Sequence, residues 1–133
     1  MSRTTEDYLK TIYLIRQKQG YVRSVTLAEA FGVSKPTVCY IIKKLIREGY
    51  VTKNKEHFLD LTPKGTSVAE ATLKRNRTIC ELLVCLGVNE ETAETDACKM
   101  EHIISLESLE ALKSFVESPC SKQCLKKREK SAC

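Results

Sequence analysis

The sequence predicts a mainly α-helical protein in which an N-terminal winged helix–turn–helix, with a two-stranded wing, leads into a helical module. Three observations carry this. Helix-period apolar stripes start at Ser, Thr or Asn caps and stop at Gly. A short connection, Gly32-Val33-Ser34, joins two of them in the manner of a helix–turn–helix. Two short strand-like segments then flank the polar turn Asn54-Lys55-Glu56.

The first helix is expected over residues 6–19, with Leu9, Ile12 and Tyr13 on one face, Thr4 as cap and Gly20 as stop. Thr26-Leu-Ala-Glu29 reads as a capping box and starts a second, short helix that ends near Gly32. Ser34 caps the third, over residues 35–48. Pro36 is tolerated in its first turn, and Val38, Ile41, Ile42 and Leu45 form its buried stripe. Strands follow at 50–53 and 57–61. Thr62-Pro63, a cap followed by Pro at the first helical position, opens a long helix to Leu86. Asn89 caps a helix reaching towards Ile104, and Ser105 caps the last, which ends before Pro119. Domains are expected at residues 1–62 and 63–118, with a basic, Cys-containing tail at 119–133.

Length and composition allow a real core without disulfide staples: 133 residues, 42% hydrophobic and 29% charged. No apolar run reaches the ~18 residues that span a bilayer, and no signal peptide is recognisable, so a cytoplasmic location is expected. Seven cysteines, an odd number, fit reduced thiols better than a disulfide framework. Charge is segregated. Residues 1–75 carry 14 basic against 7 acidic side chains, residues 76–118 carry 3 against 9, and residues 119–133 carry 5 against 1. A basic N-terminal half suits a polyphosphate, whereas an acidic middle suits cations.

In a helix–turn–helix the second helix enters the major groove by its N-terminal end. Here that end displays Ser34, Lys35, Pro36, Thr37 and Tyr40. Hydroxyls and apolar surface can meet base edges and thymine methyls, while Lys43, Lys44 and Arg47, with Lys53 and Lys55 on the wing, can neutralise phosphates. Double-stranded operator DNA is the expected partner.

The sharpest chemical signal is Cys98-Lys-Met-Glu101-His102. Thiol, carboxylate and imidazole at i, i+3 and i+4 share one helical face, and this mixed donor set favours a first-row divalent transition ion. The alternative is a buried Cys beside an exposed Glu–His pair. One helix cannot complete a coordination shell, so Asp7 is a candidate donor. Its own alternative is to cap a helix within Thr4-Thr-Glu-Asp7.

Four ordered motifs resemble the diphtheria toxin repressor family of iron- and manganese-responsive transcriptional regulators. They are Thr4-Thr-Glu-Asp-Tyr-Leu-Lys-Thr-Ile-Tyr13, Lys35-Pro-Thr-Val38, Leu61-Thr-Pro-Lys-Gly65 and Ala97-Cys-Lys-Met-Glu-His102. The resemblance covers residues 3–118. It implies a homodimer whose helical module binds metal and dimerises, and a metal ion that joins the first helix to that module to orient the recognition helices. Cys98, Glu101 and His102 match the principal site of the iron branch, where the Cys backbone carbonyl also binds. Asp7 matches the manganese branch. Lys10 stands where that branch has a Glu, against a two-metal cluster. Asn76 replaces a usual His and Cys80 falls near an ancillary carboxylate position; either is a possible fifth donor. The remaining tail is too short for the SH3-like third domain of longer relatives. Fe(II) is the first expectation and Mn(II) the second, with Zn(II), Co(II) and Ni(II) as further candidates.

Ile103, Ile104, Leu106 and Leu109 make the last helices more apolar than a solvated hairpin needs, and a two-fold interface is expected there. Cys39 and Cys85 read as core residues and His57 as a solvated turn residue. Cys120, Cys124 and Cys133 offer too few ligands for a closed zinc site. The leading expectation is a metal-activated repressor of uptake genes; a thiol-based redox regulator is the alternative. An enzyme with Cys98 as nucleophile and His102 as base lacks a recognisable orienting residue and is not expected.

Overall fold

The computed structural model describes residues 2–118 and contains, in order, α1 (Arg3–Gln19), α2 (Ser24–Phe31), α3 (Lys35–Arg47), β1 (Val51–Lys53), β2 (Leu59–Leu61), α4 (Pro63–Leu86), α5 (Glu90–Met100) and α6 (Leu106–Val116). The expected mainly helical class with a two-stranded wing is what the chain forms. The tail cysteines Cys120, Cys124 and Cys133 lie outside the described residues. No helix among the described residues is long and apolar enough to cross a membrane.

By packing, the chain divides into two compact units after Thr72, inside α4. The start of α4 belongs with the winged helix for local reasons. Thr62 caps it, accepting from Gly65 N at 3.1 Å while its own hydroxyl donates to Gly49 O at 2.6 Å. Ala69 is fully buried in the winged-helix core, beside Leu9, Ile12, Leu27, Val38, Leu45, Val51 and Leu59. At Gly65 a Cβ would stand 2.1 Å from Tyr50 O, so only glycine lets the helix approach that backbone. Gly65→Ala is expected to destabilise the N-terminal unit by about 1–3 kcal/mol through overpacking. A urea titration of the variant against wild type measures it.

Within this unit α1, α2 and α3 enclose the core, and Tyr8 stacks on Phe31 with centroids 4.4 Å apart. β1 and β2 pair antiparallel in the register Val51↔Leu61, Thr52↔Asp60 and Lys53↔Leu59. Gly49, at φ +83°, takes the left-handed conformation that turns the chain from α3 into the wing. The second unit holds the rest of α4 with α5 and α6; Ile79, Cys85, Ala93 and Ala97 are buried in it. No side chain of α6 is buried in the chain by itself.

Several boundaries move, each for a local reason. α1 starts earlier than expected because Ser2, not Thr4, is its cap and accepts from Thr5 N at 3.2 Å. α2 starts at Ser24 without a side-chain cap, so Thr26-Leu-Ala-Glu29 is not its capping box. Val22 O accepts from Leu59 N at 2.8 Å, which ties residue 22 to the wing and forces the helix to begin immediately after it. The wing strands are shorter than expected, because Asn54 gathers the intervening residues into a turn. α5 ends at Met100 rather than near Ile104: the amides of Ile103 and Ile104 both donate to Met100 O at 3.1 Å and close a tight turn. Cys39 is exposed, not core, since it sits one position off the Val38–Ile42–Leu45 stripe. Cys85 is buried and His57 exposed, as expected.

Candidate metal centre and nucleic-acid interface

Glu101 owes its setting to α5. Asn89 caps the helix, accepting from Glu91 N at 2.9 Å, and Ala93, Ala97 and Glu101 then recur at the i, i+4 spacing of one buried stripe. Glu101 is the last member, with its amide still donating to Ala97 O at 3.0 Å. Only 1% of Glu101 is exposed, and His102 Nε2 lies 3.3 Å from its Oε1. Burying an ionised carboxylate costs several kcal/mol unless charge and hydrogen bonds offset it. A carboxylate and an imidazole side by side in a buried turn form a mixed oxygen–nitrogen pair that suits a divalent transition ion. These two residues therefore fit such an ion.

Cys98 lies one position from that stripe and is exposed. Its Sγ accepts from Asn76 Nδ2 at 3.3 Å. It faces a cavity of about 320 Å³ lined by Asn76, Arg77, Cys80, Glu81, Glu94 and Cys98. Thus the expected donors of the second unit separate into Glu101 with His102, and Asn76 with Cys80 and Cys98. Burial pushes the Cys80 thiol up, and Glu94, Glu90, Cys98 and Glu81 add to this. That environment holds Cys80 protonated at neutral pH and disfavours it as a nucleophile.

In the first unit, Asp7 sits inside α1, whose cap is Ser2 rather than Thr4. Its Oδ1 is 3.9 Å from Lys10 Nζ one turn later, and Lys10 is itself buried. An ammonium already stands beside this carboxylate.

The same unit carries a basic face. Ser34 caps α3, accepting from Thr37 N at 3.4 Å, and its hydroxyl lies 2.8 Å from that of Thr37. Pro36 occupies the first turn. Ser34, Lys35, Pro36, Thr37, Tyr40, Lys43 and Lys44 are all exposed, as are Lys53 and Lys55 on the wing. Tyr40, 70% exposed, stands opposite the buried stripe. The charge order alone reveals this surface, whereas it gives no sign of three further residues at the wing. Tyr21, Arg23 and Phe58 pack together there, signalled in sequence only by two aromatic residues in polar surroundings.

Residues 1–58 match the family model for the iron-dependent repressor N-terminal DNA-binding domain, and residues 62–128 that for the iron-dependent repressor metal-binding and dimerisation domain. A relative from Methanocaldococcus jannaschii, described as an uncharacterised HTH-type transcriptional regulator, is 40% identical over 119 residues, 88% of this chain and 95% of the relative. The HTH-type transcriptional regulator MntR of Lysinibacillus sphaericus is 32% identical over 112 residues, 84% of this chain and 81% of its own. Among solved structures, that of the manganese regulator SloR superposes with a TM-score of 0.75 at 32% identity over 90% of this chain. The present chain spans 56% of the SloR chain, just over half of it.

Proposed function

Because the chain belongs to the iron-dependent repressor family, we propose that it is a metal-dependent transcriptional repressor. It binds operator DNA as a homodimer when a divalent transition ion is held by Glu101, His102 and Asp7. The observation that carries this reading is the buried Glu101–His102 pair, placed in the turn that ends α5. Asp7 joins the donor set on the resemblance of α1 to the manganese branch. Cys98 contributes through its backbone carbonyl, since its thiol is bonded to Asn76. Asn76 and Cys80 lie with that thiol and are not required.

A bound divalent ion supplies positive charge to the carboxylates of Asp7 and Glu101. Lys10 Nζ, already beside Asp7, supplies part of the same charge and favours one ion per chain over two. An oxygen-rich donor set with one imidazole and no thiolate shifts the preference from Fe(II) towards Mn(II). Asp7 shares α1 with Leu9 and Ile12, both in the winged-helix core, so ion binding acts on the helix that supports α3. On the DNA side, Thr37 and Tyr40 meet bases, while Lys35, Lys43, Lys44, Lys53 and Lys55 meet phosphates. The exposed apolar side chains Ile103, Leu106 and Phe115, with Ile104 and Leu109, form the two-fold interface.

The test starts from chelator-treated protein and labelled duplexes selected by the chain from a random-sequence pool with Mn(II) present. Anaerobic titration with Mn(II) and, separately, Fe(II) is expected to raise DNA affinity by ~5–150-fold, the usual range of such couplings. Acidic buffer should weaken the response, because protons compete with the ion for its ligands. Equal DNA affinity with and without metal would reject the reading.

A further inference from the structure

Phe58 stands where the wing meets the segment between α1 and α2. Val22 O accepts from Leu59 N at 2.8 Å, so residue 22 is tied to β2 by a backbone bond, and Arg23 after it is extended at φ −120° and ψ 164°. Side chains alternate along extended backbone. Val22 and Leu59 turn into the core and are 0% and 1% exposed. Tyr21 and Arg23, two residues apart, fall on the outer side and both reach Phe58. The Tyr21 ring is 5.6 Å from that of Phe58 at an interplanar angle of 54°, and the Arg23 guanidinium lies 4.5 Å from its centroid.

The backbone of Phe58 is held as firmly. Asn54 Oδ1 accepts from Phe58 N at 2.9 Å and from Glu56 N at 3.0 Å, and Asn54 N donates to Phe58 O at 3.0 Å. His57 takes φ 66° to close this turn. The two wing lysines, Lys53 and Lys55, lie on either side of Asn54 and inherit their position from it.

We infer that Phe58, gripped by Tyr21 and Arg23, is the positioning residue that fixes the wing, so that Lys53 and Lys55 are presented to the phosphate backbone without further ordering. This rests on the DNA-binding reading. A freely moving wing would have to be ordered on binding, and its phosphate contacts would weaken accordingly. Each phosphate contact contributes about 0.9 to the slope of log affinity against log salt.

The experiment measures that slope by anisotropy with metal-loaded protein and the selected duplex. Phe58→Leu is expected to lower affinity about tenfold and to reduce the slope by ~1–2. Phe58→Tyr restores both, and metal affinity stays at the wild-type value. In a Lys53→Ala/Lys55→Ala background, Phe58→Leu has no further effect on DNA binding, which separates positioning from general loss of structure. Should Phe58→Leu fail to fold, Tyr21→Ala, at a residue 52% exposed, takes its place with the same expectations. An unchanged slope, or an equal loss in the lysine-free background, overturns the inference while leaving the repressor reading intact. Wild-type protein that binds no DNA overturns both.

Discussion

Glu101→Gln is expected to abolish the metal response while leaving the fold in place. The side chain is 1% exposed and adjoins His102 at 3.3 Å, so the substitution removes one negative charge from a buried donor pair and keeps its shape. Metal affinity should fall at least ~100-fold, beyond the ~10–100-fold typical of changes to groups that only support a ligand. The ~5–150-fold metal-dependent gain in DNA affinity should vanish with it. Residual, metal-independent DNA binding should persist, because Lys35, Lys43 and Lys44 belong to the other unit. Calorimetric metal titration, DNA anisotropy and a circular-dichroism melt, run on one preparation, distinguish this outcome from unfolding. Cys98→Ser supplies the contrast. Its thiol is occupied by Asn76, and a backbone carbonyl survives the change, so its metal response should stay near wild type.

The second large effect is expected at the apolar surface of the C-terminal unit. Ile103 is 82% exposed and Leu106 is 70% exposed, and α6 buries none of its side chains within the chain. Burying one such side chain fully is worth about 1.5–3 kcal/mol, which gives this surface a strong drive towards a second copy. Leu106→Glu combined with Ile103→Glu places two charges where that copy would sit. The variant should be monomeric by sedimentation velocity and should bind metal as wild type does. Its DNA affinity should drop by ~10²–10⁴, the loss that follows when two linked binding heads become one. A variant that stays dimeric would place the interface elsewhere.

Much of the fold was legible because local chemistry dictates it. Ser34, Thr62, Asn89 and Ser105 act as the caps their positions suggest, and the Val38–Ile42–Leu45 stripe is buried as its period requires. Errors arose where a tertiary contact overrides a local signal. Thr26 resembles a cap, but the Val22–Leu59 backbone bond fixes the start of α2 two residues earlier. The site was partly legible. Spacing placed Cys98, Glu101 and His102 on one helical segment, yet the Ala93–Ala97–Glu101 stripe turns inward and leaves the Cys98 thiol on the neighbouring face. α5 ends at Met100, so Glu101 and His102 stand in the turn that closes it rather than on the helix that carries Cys98, and periodicity alone does not foretell where a helix stops. The grip on Phe58 was invisible, since it joins residues distant in sequence through aromatic and guanidinium contacts that no motif encodes.

In the proposed repressor, metal and DNA occupancy share one coupling free energy. Linkage requires the factor by which metal tightens DNA binding to equal the factor by which DNA tightens metal binding. The most direct measurement is therefore the Mn(II) affinity of the chelator-treated dimer, taken alone and then saturated with the selected duplex. The two values should differ by the factor found in the DNA titration. An identical metal affinity in both states would contradict the account.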